Sequence, residues 1–203
     1  MVRAVCSHCS QESPVETYQS INVGLDPELL PRVKDGSLFV WECPYCGAHN
    51  LLKYETIYHD PAGKLMIWAC PSWETPPSQI GPMLQQLEGY TLRRVDEMGD
   101  LVEKVNIHAA SLDDVTMEMC KWVVRREMAA KDAAMADIAL KFLRTQGADQ
   151  EILFAFAHNG QMNQVSIGFN VYEDASAILS RHPGIAPAPG FARVDASWLE
   201  TLL

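Results

Sequence analysis

Along the first seventy residues, apolar and polar positions alternate in short runs broken by turn residues, the period of half-buried strands. Residues 13–23 (SPVETYQSINV) are rich in β-branched side chains and read as a strand. In residues 25–37, Asp26 stands as an N-cap, Pro27 suits the first helical position and Gly36 closes a short helix. Residues 38–43 (LFVWEC) read as a strand. Residues 50–60 and 64–71 read as two more, parted by the turn chemistry of Asp60-Pro61-Ala62-Gly63. Further on, residues 90–95 suit a strand and residues 100–108 a short helix. Residues 112–147 are helix-prone: Val115, Met119, Trp122 and Val123 recur at helical spacing, as do Ala136, Ala139, Leu140 and Leu143, and Gly147 is placed as a C-cap. Residues 152–172 (ILFAFAHNGQMNQVSIGFNVY) predict a β-hairpin turning on Asn159-Gly160, the preferred type I′ pair. Residues 174–182 suit a helical turn or two, and Asp195 caps a short closing helix.

This pattern predicts an α+β chain: an antiparallel β domain over residues 1–75, which its two Cys-x-x-Cys pairs, Cys6/Cys9 and Cys43/Cys46, make zinc-ribbon-like, then a mixed helical and β-hairpin region over 76–203. Residues 71–82 carry four prolines and a glycine, and proline fixes φ and removes a backbone donor, so this stretch is expected as the linker. No long internal repeat is present beyond the two Cys-x-x-Cys knuckles.

Composition alters the picture in two ways. A formal net charge of −10 over 203 residues, with both halves acidic, argues against a nucleic-acid module, because phosphate backbones reward clustered Lys and Arg. The small basic clusters Arg93-Arg94 and Lys121 with Arg125-Arg126 read as solvated helix faces or salt-bridge sets. No apolar run reaches the roughly 18–20 residues that span a bilayer, and the N-terminus lacks a signal-type apolar core. A cytoplasmic protein is therefore expected, with its thiols reduced and its Cys pairs acting as metal ligands rather than disulfides.

Four cysteines carry the chemistry. Cys6-x-x-Cys9 and Cys43-x-x-Cys46 each put two sulfurs on one tight turn, and two such turns complete a tetrahedron around Zn²⁺. Pro44 stiffens the second knuckle, and Gly47 permits the left-handed backbone that turns amides toward sulfur. The first knuckle has Ser7 and Ser10 at these places. His8 is a possible substitute ligand, set aside because four thiolates suffice. A closed Cys₄ site leaves no open coordination position, so its expected role is structural. Four thiolates alone do not separate zinc from iron.

The chain resembles the CpXC-domain proteins of bacteria and archaea, named for two Cys-Pro-x-Cys motifs. The resemblance rests on the two cysteine pairs at this separation, on Ser20–Val23 and Asp26–Leu29 between them, and on the closing Cys43–Gly47. Tyr58-His59-Asp60 followed by Met66-Ile67-Trp68 extends it. It continues through Tyr90–Val95, Leu101–Val105, Leu112–Asp114, and Val194-Asp195 with Trp198. Ser7 departs from the family proline. The resemblance implies the metal site and a mostly shared chain; it carries over no activity.

Other candidates are weaker. His59 and Asp60 are adjacent, and neighbouring strand residues face opposite sides, so Asp60 is expected to start the turn before Gly63. Asn22, in an apolar strand, is expected as a buried hydrogen-bonding residue, with ligand contact second. Trp68 and Trp73 bracket Cys70 and are candidates for contact with a partner. Cys120 is expected in the core. His108, His158 and His182 show no ligand spacing, and no phosphate-binding Gly loop or Gly-x-Ser-x-Gly is present. The resulting functional expectation is a zinc-stabilised, non-enzymatic interaction or adaptor protein with an unidentified protein partner. The alternatives are a nucleic-acid-associated zinc ribbon, or an enzyme with a site assembled around Asn22, His59 and Asp60.

Overall fold

The computed structural model describes residues 1–71 and 86–203. The expected linker from residue 72 onward, and with it Trp73, lies outside the described residues. Chain contacts divide the molecule into two compact units, Met1–Val102 and Glu103–Leu203. Both helices and strands build the chain, an α+β architecture.

The first unit opens with a hairpin of β1 (Val2–Val5) and β2 (Glu12–Val15). A second hairpin joins β4 (Val40–Glu42) and β5 (His49–Leu51). Between them, β3 (Ser20–Asn22) starts a four-stranded sheet completed by β6 (Thr56–Asp60), β7 (Leu65–Ala69) and β8 (Thr91–Val95), in the order β3-β6-β7-β8. This sheet is mixed: β6 and β7 run antiparallel, while β3 pairs with β6 and β7 with β8 in parallel. A parallel pair needs a long crossover. The β3–β6 crossover contains the whole second hairpin and α1 (Leu29–Lys34). That helix starts later than the sequence suggests. Asp26 is not its N-cap but accepts the Leu29 N–H in the preceding turn, while Gly36, at φ +78°, ends the segment as expected. All five residues of β7 are buried, as befits a strand inside a sheet covered on both faces.

In the second unit, α2 (Met98–Ala109), whose first turns belong to the first unit, leads to α3 (Asp114–Lys131). Asp113 caps α3 through the Thr116 N–H. The long helix expected over residues 112–147 is not formed. Asp132 ends α3 and caps a 3-10 turn at Ala133–Met135, and residues 141–146 form strand β9 (Lys141–Gln146). The reason is pairing. β10 (Glu151–His158) offers β9 a ladder and buries Phe142, so tertiary contact overrides helix propensity. Gly147, at φ +73°, turns the β9–β10 connection instead of capping a helix. The expected hairpin is present between β10 and β11 (Gln161–Ile167), with Asn159 at φ +51° and Gly160 at φ +72°. Residues 169–172 start α4 (Phe169–Arg181) rather than extending β11. Asp195 caps α5 (Ala196–Glu200) through the Trp198 N–H. Met117, Cys120, Ile152, Phe154 and Leu199 form the centre of this unit's core.

Candidate metal centre

Each hairpin carries one Cys pair in its turn, and the two turns have the same construction. Ser10 N–H donates to the Cys6 carbonyl at 2.9 Å, and Gly47 N–H to the Cys43 carbonyl at 2.8 Å. Cys6 N–H donates to Gln11 and Cys43 N–H to Ala48, both at 2.9 Å. The left-handed residue is Gly47 at φ +72° in one knuckle and Ser10 at φ +58° in the other. The serine knuckle thus adopts the backbone that glycine adopts more cheaply.

The fold brings all four sulfurs together, each within 4.8 Å of the others. Cys6 Sγ lies 3.7 Å from Cys46 Sγ, and Cys9 Sγ lies 3.6 Å from Cys43 Sγ. Four thiolates around an ion with 2.3 Å Zn–S bonds would stand about 3.8 Å apart at the tetrahedron's edges. The spacing therefore suits a thiolate-bound metal ion, and the donor set is four soft sulfurs with no oxygen ligand among them. Cys6 and Cys43 are buried, Cys9 is half-buried and Cys46 is exposed, so one edge of the cluster faces solvent. His8 supplies only its backbone N–H, 3.4 Å from Cys6 Sγ.

The electrostatics of the cluster are uneven. The backbone N–H of Cys9, helped by those of His8 and the Asn50 amide, lowers the Cys6 thiol to about 6 despite the cost of burial. Cys46 gains from the Ala48 N–H, but desolvation by the cluster and its three sulfur neighbours outweigh that and push it up to about 12. Cys9, favoured by the Gln11 N–H, is likewise raised on balance by burial and by Cys43 and Cys6. The protein alone favours the thiolate at Cys6 and resists it at Cys9 and Cys46; a bound cation lifts that resistance.

Asn50 was not singled out by its sequence. It lies on β5, 7% exposed, and contacts both knuckles. A three-residue strand with a single buried position gives no pattern from which to find it. Asn22, His59 and Asp60 come from the mixed sheet. Gly24 N–H donates to Asn22 Oδ1 at 3.0 Å, which turns the Asn22 Nδ2 toward His59 Nδ1, 3.4 Å away. His59 Nε2 lies 3.2 Å from the Tyr90 hydroxyl. With an amide donor facing Nδ1, the proton of a neutral His59 sits on Nε2 and is donated to Tyr90. Tyr90 is the second residue that the sequence did not expose as part of a site. Asp60 is engaged elsewhere: its Oδ1 accepts the Gly63 N–H at 2.9 Å, the turn-starting role expected for it. Trp68 is 9% exposed and donates its indole N–H to Glu55 at 2.9 Å. Cys120 lies in the core, where burial pushes its thiol up to about 12.

Two knuckles, each inside a β-hairpin and together gathering four sulfurs, define a class of protein built around a Cys₄ cluster that could hold a metal ion. The family model described as CpXC protein matches residues 4–121, more than half of the chain, and the chain belongs to that family. Val194, Asp195 and Trp198, counted above among the shared features, lie beyond the matched residues. No curated protein and no solved structure gives a match. Among the described residues, no helix is long and apolar enough to cross a membrane.

Proposed function

We propose that Cys6, Cys9, Cys43 and Cys46 hold one zinc ion as a structural cross-link, and that the chain is a zinc-stabilised, non-enzymatic interaction module of the cytoplasm. The observation that carries the metal reading is the set of sulfur separations, which suit a filled tetrahedron of four protein ligands with no coordination position left for a substrate. Zinc is favoured over iron because the proposed role is to join two hairpins, which needs no redox change. A protein partner is favoured over nucleic acid because of the −10 net charge.

The test combines metal content with capture of partners. Purified protein should contain one zinc per chain, be colourless and lose the order of its two hairpins on chelation. The zinc-loaded chain should enrich a stoichiometric protein from its own cytosol, and Cys43→Ser should not. Salt-sensitive binding to DNA or RNA at about 50 mM salt would replace the partner reading with the nucleic-acid one.

A second reading has its own observation. Asn22, His59 and Tyr90, from three separate segments, form one hydrogen-bonded row with a defined histidine tautomer. Such a row suits proton transfer at the Tyr90 hydroxyl. Turnover of any substrate that is lost in both His59→Gln and Tyr90→Phe, with zinc retained, would favour an enzyme over an interaction module.

A further inference from the structure

Each hairpin by itself positions only its own two sulfurs; something else has to set the two pairs against each other. Asn50 makes that connection. Its Oδ1 accepts two hydrogen bonds from the opposite knuckle, one from the Ser7 N–H and one from the Ser7 hydroxyl, both at 2.8 Å. Its Nδ2 donates to the Ala48 carbonyl of its own hairpin at 2.9 Å and lies 3.5 Å from Cys6 Sγ across the gap. Both amide hydrogens and the oxygen are used, and the side chain is buried. The orientation is chemically directed: an N–H aimed at Cys6 favours its thiolate, whereas a carboxylate there would oppose it. Ser7 occupies the place held by Pro44 in the second knuckle. Proline has neither an N–H nor a hydroxyl, so the first knuckle exchanges a stiff ring for two bonds to the other hairpin.

We infer that Asn50 and Ser7 form a clamp that holds the two knuckles in register and sets how tightly this chain retains its metal; this rests on the zinc reading above. None of the clamp's bonds passes through a metal ion. The clamp's bonds form as the two hairpins close on the ion and lower the cost of closing the site, as groups behind metal ligands commonly do. Asn50 is a positioning residue, not a ligand.

The experiment measures zinc affinity of the full chain by competition with a chromophoric chelator, alongside the absorption of the cobalt-substituted protein. Asn50→Ala should weaken zinc binding by about 10–100-fold. Asn50→Asp, nearly isosteric but anionic, should weaken it further. Ser7→Ala, which keeps the N–H and loses the hydroxyl, should fall between wild type and Asn50→Ala. His8→Ala, an exposed side chain whose backbone N–H remains, should match wild type. Cobalt bands in Asn50→Ala should shift as the tetrahedron loosens. Should the Asn50 variants fail to fold, Ser7→Ala decides the matter by the same competition. Affinities of wild type, Ser7→Ala and any folded Asn50 variant that agree within about threefold, below the range expected for such a group, overturn the clamp alone. A wild-type chain that takes up neither zinc nor cobalt stoichiometrically overturns the zinc reading, and the clamp's role with it.

Discussion

Replacing Lys121 with methionine should destabilise the second unit sharply, because Lys121 is the cation between two buried glutamates. Its Nζ lies 2.6 Å from Glu118 Oε1 and 3.1 Å from Glu103 Oε1, and its side chain is 5% exposed. Glu103 and Glu118 are buried to 3% and 1% exposure, and Glu103 also accepts the Phe142 N–H at 2.7 Å. Removing one partner of a buried ion pair costs about 3–5 kcal/mol, because the other charge stays buried without compensation. Here Lys104, 3.7 Å from Glu118, and Lys141, 3.7 Å from Glu103, remain as weaker partners. The lower end, about 3 kcal/mol, is therefore expected. That is a large share of a typical stability of about 5–15 kcal/mol. For a chain of this size it lowers the melting midpoint by roughly 6–12 °C.

The assay is urea and thermal unfolding at neutral pH, followed by a pH series. The Glu103 carboxyl is penalised by burial but is held below its ordinary value by Lys121, Lys141 and Lys104. It therefore contributes stability above the usual carboxylate range, and that contribution is lost as pH falls through its folded value. Glu118 behaves oppositely. Burial raises it, its Oε2 has no hydrogen-bond partner, and it takes a proton before Glu103 does. Both effects narrow the gap between wild type and Lys121→Met in acid. Glu118→Gln alone should cost about 1.5–3 kcal/mol, the range of a hydrogen bond to a charged group, because Lys104 and Lys121 keep Asp114 and Glu103 as partners. Added to Lys121→Met, it should recover part of the loss, a favourable coupling between neighbours. A Lys121→Met loss under about 1 kcal/mol, or a gap that widens in acid, would refute the reasoning that a buried cation left out is worth several kcal/mol here.

Chelation or Cys43→Ser should unfold the two knuckle hairpins while leaving the β10–β11 hairpin protected in amide hydrogen exchange. The metal's contribution to such small sites is on the order of 10–16 kcal/mol, and no other cross-link joins the two hairpins covalently, since all six cysteines are free. Ser10→Gly should raise the chelator-free stability of the first hairpin by up to about 1 kcal/mol by relieving its left-handed backbone, measurable by urea titration. Gly24→Ala should cost about 1–3 kcal/mol: its Cβ would lie 2.6 Å from Pro61 Cγ, so the Gly24 backbone or the Pro61 ring must shift, and equilibrium unfolding reports the loss. Phe154→Ala in the second core should cost about 3–5 kcal/mol, read from chemical denaturation, as its side chain is fully buried.

Short-range chemistry was open to reading from the chain alone. The two Cys-x-x-Cys turns, the Asn159-Gly160 hairpin, the Asp60–Gly63 turn and the Asp195 cap each depend on residues within a few positions of one another. Backbone preference and one local hydrogen bond decide them, so neighbours in sequence suffice. The gathering of the four sulfurs was legible for a similar reason, since their chemistry names a common destination even across 40 residues. Tertiary structure decided the rest. Residues 141–146 lie in the stretch read as helix-prone and still form β9, because a ladder with β10 outweighs weak propensity. Asn22 on β3, His59 on β6 and Tyr90, just before β8, meet because those strands share a sheet with parallel pairings, whose register no local signal encodes. Lys121, with Arg125-Arg126, read as a solvated helix face or a salt-bridge set, and packing decided for the second by making it the buried partner of Glu103 and Glu118. Asn50 shows the limit most clearly: an amide in a three-residue strand, it gains its meaning from Ser7, 43 residues away, through bonds that exist only once both hairpins have folded.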